Sequence, residues 1–205
     1  MARAYLYEHE NPHAPERDNG RRFWGYPTRF GGLDAIQIAV LHTAENIPDV
    51  KGEDSSAENI AAYGARMDRP ASWHRCCDAD STIICLPDKA VAFHVVGYNT
   101  ISLGLEICTQ ARRWGQDPDH DSRLLHRAAW VFARWSWRHH LPLDEILTKR
   151  EVDAGKRGIT THALLDPARR SDPGADFPFE RFLNMAIDRR AIVRKREGSK
   201  WGRTV

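Results

Sequence analysis

Cysteine is scarce in this chain. There are four in 205 residues (Cys76, Cys77, Cys85 and Cys108), with neither a C-x-x-C pair nor the spacing of a disulfide framework. A small domain stapled by disulfides is therefore excluded, and Cys85 and Cys108, set in apolar runs, read as reduced thiols packed like small hydrophobes. No apolar run reaches the ~20 residues that a membrane-spanning helix requires, so membrane insertion is not expected. The opening MARAYLYEHENPHAPERDNG interrupts itself with charge every few positions and lacks the apolar segment of a secretory signal. The expectation is a chain made in the cytoplasm without a signal peptide. Nor is there an internal repeat or an excess of one charge, the formal net charge being +2.

What is present is ordinary for a water-soluble domain: 41% apolar and 28% charged residues. A compact body of this length buries roughly 70% of the surface its unfolded form exposes, enough for one core and cramped for two. Only the end is markedly basic, with Arg189, Arg190, Arg194, Lys195, Arg196, Lys200 and Arg203. It reads as the solvated end of a last helix or a linker, with an anionic polymer as the alternative partner. No nucleic-acid motif accompanies it, so nucleic acid is not an expected partner.

Residues 1–33 mix Pro, Gly, Arg and aromatics without sustained periodicity, as in an arm lying over a body at 34–190, and 191–205 form a basic tail. The run Ile36 to Leu41 is uniformly apolar, as in a strand covered on both faces, and stops at His42. Ser55 and Glu58 make a capping-box pattern ahead of Ile60, Tyr63 and Met67, predicting a helix over about 56–67. Short runs at Trp73–Cys77 and Thr82–Leu86 flank a turn-like Asp78-Ala79-Asp80-Ser81 and predict a hairpin. Ile101 to Cys108 alternates, with Leu103, Leu105 and Ile107 on one side and Ser102, Gly104 and Glu106 on the other. From Ser122 to His140 the apolar stripe of Leu124, Leu125, Ala128, Val131, Phe132 and Trp135 predicts a core-packing helix, with Arg127, Arg134 and Arg138 off the stripe. A last amphipathic helix is expected over Phe179 to about Ile192. Strands mixed with helices imply an α/β fold, a single domain with a central mixed β-sheet flanked by helices.

Ten histidines are too many to interpret singly. One stretch stands out: His162 and Asp172 flank a basic, Pro-containing loop, Asp166-Pro167-Ala168-Arg169-Arg170-Ser171, which can fold back to bring imidazole and carboxylate together. A catalytic zinc needs such convergence of three protein donors, with a fourth position open.

Four segments in order now resemble the type 2 N-acetylmuramoyl-L-alanine amidases: Val40-Leu41-His42-Thr43-Ala44; Ala71-Ser72-Trp73-His74; Ala92-Phe93-His94 with Ser102-Leu103-Gly104-Leu105-Glu106; and His162 through Asp172-Pro173-Gly174. Together they cover about residues 36–187. The resemblance implies a Zn2+ held by His42, His162 and Asp172, with peptidoglycan as substrate and no organic cofactor. It also makes Glu106 the candidate general base, against a surface or ion-paired glutamate. Arg170 stands where several relatives carry Lys and could stabilise an oxyanion, against a structural ion pair. Some relatives place a catalytic Tyr before the hairpin His; Trp73 here has no ionisable hydroxyl. His74 reads as a buried partner that orients a ligand, and His94 either lines the substrate groove or is a simple loop residue.

The implied activity is hydrolysis of the amide between N-acetylmuramic acid and L-alanine, in the biological setting of a phage endolysin that acts on the host wall after release. The rivals are a binding-only peptidoglycan module and a cytoplasmic muropeptide-recycling amidase. A monomer is the expected state.

Overall fold

The computed structural model describes residues 36–46, 56–65 and 71–198 in full, and the backbone alone of 9–10, 16–17, 21–22 and 199–201. The chain runs through β1 (His9–Glu10), β2 (Glu16–Arg17), β3 (Arg21–Arg22), β4 (Ile38–Thr43), α1 (Ser56–Gly64), β5 (Arg75–Cys77) and β6 (Thr82–Ile84). It continues through β7 (Ser102–Ile107), α2 (Pro118–His139), α3 (Lys149–Asp153), β8 (Gly158–Thr161), α4 (His162–Leu165) and α5 (Phe179–Trp201). One mixed sheet is ordered β1-β6-β5-β7-β4-β8, with β5, β7, β4 and β8 mutually parallel and β6 antiparallel to β5. The α/β fold with a central mixed sheet and flanking helices is thus present. Of the arm at 1–33, β1 lies along the sheet's edge beside β6, and most of the remainder is outside the described residues.

Alternation assigns the two faces. On β7, Leu103, Leu105 and Ile107 meet Ala39 and Leu41 of β4 and the stripe of α2, and Phe182 and Ala186 of α5 close the same core. Each fully buried Leu, Ile or Phe there contributes about 1.5–3 kcal/mol of transfer free energy. The opposite face carries Ile38 and Val40, packed with Val95, Leu147, Val152 and Leu165. His42, Ser102, Gly104 and Glu106 share this second face by parity.

Several boundaries differ from the sequence reading. β4 does not stop before His42 but continues to Thr43, because backbone pairing with β7 persists there. α2 begins at Pro118, four residues earlier than expected: Asp117 caps it by accepting the N–H of His120, and Pro118 suits the first turn. Arg127, placed off the apolar stripe, is nonetheless buried, because β5 as well as β7 packs on α2. α5 runs on to Trp201, so Arg194, Lys195 and Arg196 of the basic segment are helical. The hairpin is as expected, its turn held by Asp78, whose Oδ1 accepts the N–H groups of Asp80 and Ser81 while Oδ2 accepts that of Ala57 at the start of α1. The capping pair of α1 and its Met67 fall partly outside the described residues. All four cysteines are free and buried.

Candidate metal centre and active-site cleft

Parallel strands in register bring residues at their carboxyl ends into one row, where open α/β sheets bind ligands. His42 on β4 is the register partner of Glu106 on β7. On the other side β4 pairs with β8 up to Leu41 and Thr161, and His162 is the next residue, opening α4. Asp172 enters from the loop that follows α4. Its carbonyl accepts the N–H of Ala163 at 2.9 Å. Beyond it, Trp114 donates its indole N–H to the Pro173 carbonyl at 2.8 Å. Gly174, with φ +107°, passes so close to Ala111 that a Cβ would stand 2.2 Å from its carbonyl oxygen. Only glycine suits that position.

Three donor atoms consequently face one another. His42 Nδ1 and His162 Nδ1 are 3.0 Å apart, and each lies 3.2 Å from Asp172 Oδ2. All three side chains are buried. Burial depresses the basicity of His42, aided by His162 and Arg170 and only partly opposed by Asp172. Burial alone would raise the Asp172 carboxyl, but hydrogen bonds and charge from His162 and His42 hold it well below the ordinary carboxylate range. A neutral imidazole and an anionic carboxylate are the protonation states a metal ion requires of its ligands. The spacing fits as well, since donors about 2.0–2.1 Å from a common tetrahedral centre stand roughly 3.3 Å from one another. Lone pairs converging in this way are relieved by a cation more completely than by the few ring protons available. These residues could therefore hold zinc.

The cluster forms the floor of a cleft of about 480 Å³. Glu106 faces into it. Burial pushes its carboxyl up to about 8, with Asp172 and Glu45 raising it further and Arg170 opposing. Glu45 braces the rim in a left-handed conformation, φ 55°, its Oε1 accepting from Thr43 Oγ1 at 2.6 Å and from the Ala111 N–H at 2.9 Å. Ile60, Tyr63, Trp73 and Phe93 supply an apolar wall. Trp73 is also part of a smaller core with Ala57, Cys76 and Cys85, and Gly64 is the residue whose missing Cβ leaves room for the indole.

Arg170 lies on the cleft wall, exposed, and among the described residues it forms no ion pair. The ion pair of that loop belongs to Arg169 and Asp166, 2.6 Å apart. His74 is fully buried, its Nδ1 accepting the Gly104 N–H and its Nε2 facing the Ala90 carbonyl at 3.1 Å. The imidazole set against the outer nitrogen of His42 is that of His94, with Nδ1 2.9 Å from His42 Nε2. Glu45 and Trp114 carry no signal in the sequence, because each acts through a backbone group 66 and 59 residues away respectively, a relation that leaves no local pattern; Asn99 acts locally, on the N–H groups of His94 and Val95.

A mixed sheet with two imidazoles and a carboxylate converging at one end of its parallel strands, and a second carboxyl facing the same cleft, is an arrangement suited to a hydrolase of the α/β class. Residues 32–175 match the family model of the N-acetylmuramoyl-L-alanine amidases, which is more than half of the chain. The chain belongs to this amidase family, and its activity is that of a peptidoglycan amidase. Solved structures with the same fold include Staphylococcus aureus hydrolase AmiA in complex with its ligand, 18% identical over 89% of this chain and 86% of that one, TM-score 0.61. A mutant endolysin from Bacillus subtilis is 18% identical over 88% and 98%, TM-score 0.57. A selenomethionine derivative of AmpD is 18% identical over 84% and 98%, TM-score 0.52. Among curated protein sequences none matches.

Proposed function

We propose that the chain is a zinc-dependent N-acetylmuramoyl-L-alanine amidase in which His42, His162 and Asp172 hold the metal. The observation that carries this reading is the mutual approach of their three donor atoms at 3.0–3.2 Å on the floor of an open cleft. Zinc bound there supplies Lewis acidity toward water and toward the scissile carbonyl. Glu106, kept ionised by the cation's charge against the burial that otherwise raises its carboxyl, would take a proton from the attacking water and return it to the departing amine of L-alanine. Arg170, with its charge on the cleft wall, stabilises the negative oxygen of the tetrahedral state. Ile60, Tyr63, Trp73 and Phe93 offer apolar surface to the substrate beside the scissile amide. The products are a lactoyl carboxylate on the glycan and a stem peptide with a free amine.

The biological setting we propose is that of a phage lysin working on intact wall, with monomeric protein. Fold likeness to an endolysin is consistent with it, and likeness to AmpD keeps a muropeptide-recycling amidase as the alternative. Purified protein should release new amines from intact peptidoglycan without new reducing ends, and mass spectrometry should find stem peptides. Reducing ends would make it a glycosidase and sink the reading. Turnover of soluble muropeptides with intact wall untouched would select the recycling role.

A further inference from the structure

We infer that His94 is a positioning residue that fixes the tautomer and orientation of His42, through a directed chain His42 to His94 to Ser102. This rests on the proposed zinc site. A ring that offers Nδ1 to a metal must carry its proton on Nε2. In His42 that nitrogen is 2.9 Å from His94 Nδ1, which must therefore be bare and accept. The His94 proton is then on Nε2, which lies 2.9 Å from Ser102 Oγ and donates to it. One metal contact thus dictates the proton positions of two imidazoles in succession.

The chain supports this arrangement from every side. Asn99 Oδ1 accepts the N–H groups of His94 and Val95 at 3.0 and 2.8 Å and holds the backbone that carries the ring. The His94 ring meets His42 edge-on, centroids 5.0 Å apart and planes at 82°, and has His74 behind it at 5.9 Å. It lies so tightly over Gly104 that a Cβ there would come within 2.6 Å of Nδ1 and 2.7 Å of Cγ. Strand β7 therefore uses its three cleft-side positions for three tasks: Ser102 ends the chain of protons, Gly104 makes room for the ring, and Glu106 faces the cleft beside His42. Ring nitrogens that bind metals ordinarily have such a partner, and its loss weakens the metal about 10–100-fold.

The test is zinc affinity, measured by chelator competition on the full chain at fixed pH. His94→Phe keeps a ring over Gly104 and removes the acceptor; zinc should bind about 10–100-fold more weakly. His94→Asn places an amide oxygen where Nδ1 was, and should stay within a few-fold of wild type. Wild-type affinity in His94→Phe, or equal weakening in both variants, overturns the inference. Should His94→Phe fail to fold, histidine 15N spectra of the zinc-loaded wild-type chain decide: a bare Nδ1 and protonated Nε2 on His94 support the chain, and the opposite tautomer refutes it. A wild-type chain that takes up no zinc removes the metal reading itself, a result distinct from any difference among the variants.

Discussion

Glu106→Gln should make the metal-free protein more stable while it disables the enzyme. Burial, with Asp172 and Glu45 nearby, raises the Glu106 carboxyl from its ordinary 4.5 to about 8 against the opposing Arg170. A raised acid binds its proton more tightly in the folded state, so folding stability falls as pH rises through the interval. Below about pH 4.5 the group is protonated in both states and contributes nothing. Between there and about pH 8 the unfolded chain ionises first and stability declines. Above about 8 the penalty is complete. The interval is ~3.5 pH units at 1.36 kcal/mol each, so the ceiling is ~5 kcal/mol. At roughly 2–4 °C per kcal/mol for a chain of this size, that is on the order of 10–20 °C in thermal midpoint. Glutamine has nearly the same shape and cannot ionise, so the variant escapes the fall. Chelator-treated wild type and Glu106→Gln should be unfolded in urea at intervals from pH 4 to pH 9. The difference in stability should be small at pH 4 and widen toward pH 9 in favour of the variant. Parallel curves would refute the claim that burial holds this carboxyl protonated. In the zinc-loaded enzyme the same substitution should lower kcat by about 10²–10⁴-fold with metal content intact.

Chelation should abolish activity and lower the thermal midpoint, with zinc restoring both and binding about one ion per chain; activity that survives exhaustive chelation would argue against the three-ligand site. Gly174→Ala brings a Cβ against the Ala111 carbonyl at a positive φ, so calorimetry should show a loss of about 2 kcal/mol or more together with weaker zinc retention, because Asp172 is two residues away. Arg170→Ala should cut kcat/KM roughly 100-fold at unchanged thermal midpoint, and Arg170→Lys should recover part of it; a lowered midpoint with normal turnover would make the guanidinium structural instead. Leu124→Ala, at a fully buried position of α2, should cost about 2–5 kcal/mol in urea unfolding and leave the zinc affinity of the folded enzyme unchanged.

The elements legible from sequence were those with a repeating physical demand. Alternation in β7 and the stripe of α2 each follow from a face that must be buried, and both are where the pattern put them. The short β8 was not read as a strand, because four residues enclosed on both faces show no alternation. The box of Thr148 and Glu151 that opens α3 was a readable signal passed over. His162 and Asp172 were legible as a pair because one short loop joins them. That His94 touches His42 across 52 residues was not, because the contact depends on where the 86–101 segment folds back over Gly104, a relation that tertiary packing alone creates.

The shared row of His42 and Glu106, with His162 one step past the end of β8, has a consequence for how the molecule matures. A slip of one residue between β4 and β7 would turn every side chain of the slipped strand to the other face, sending an imidazole into the helix-covered interior and a leucine into the cleft. Mispaired chains would then be unable to capture an ion and would forgo its stabilisation. Cation uptake at the proposed site would therefore add its stabilisation to the correct strand alignment alone, widening the gap to mispaired forms.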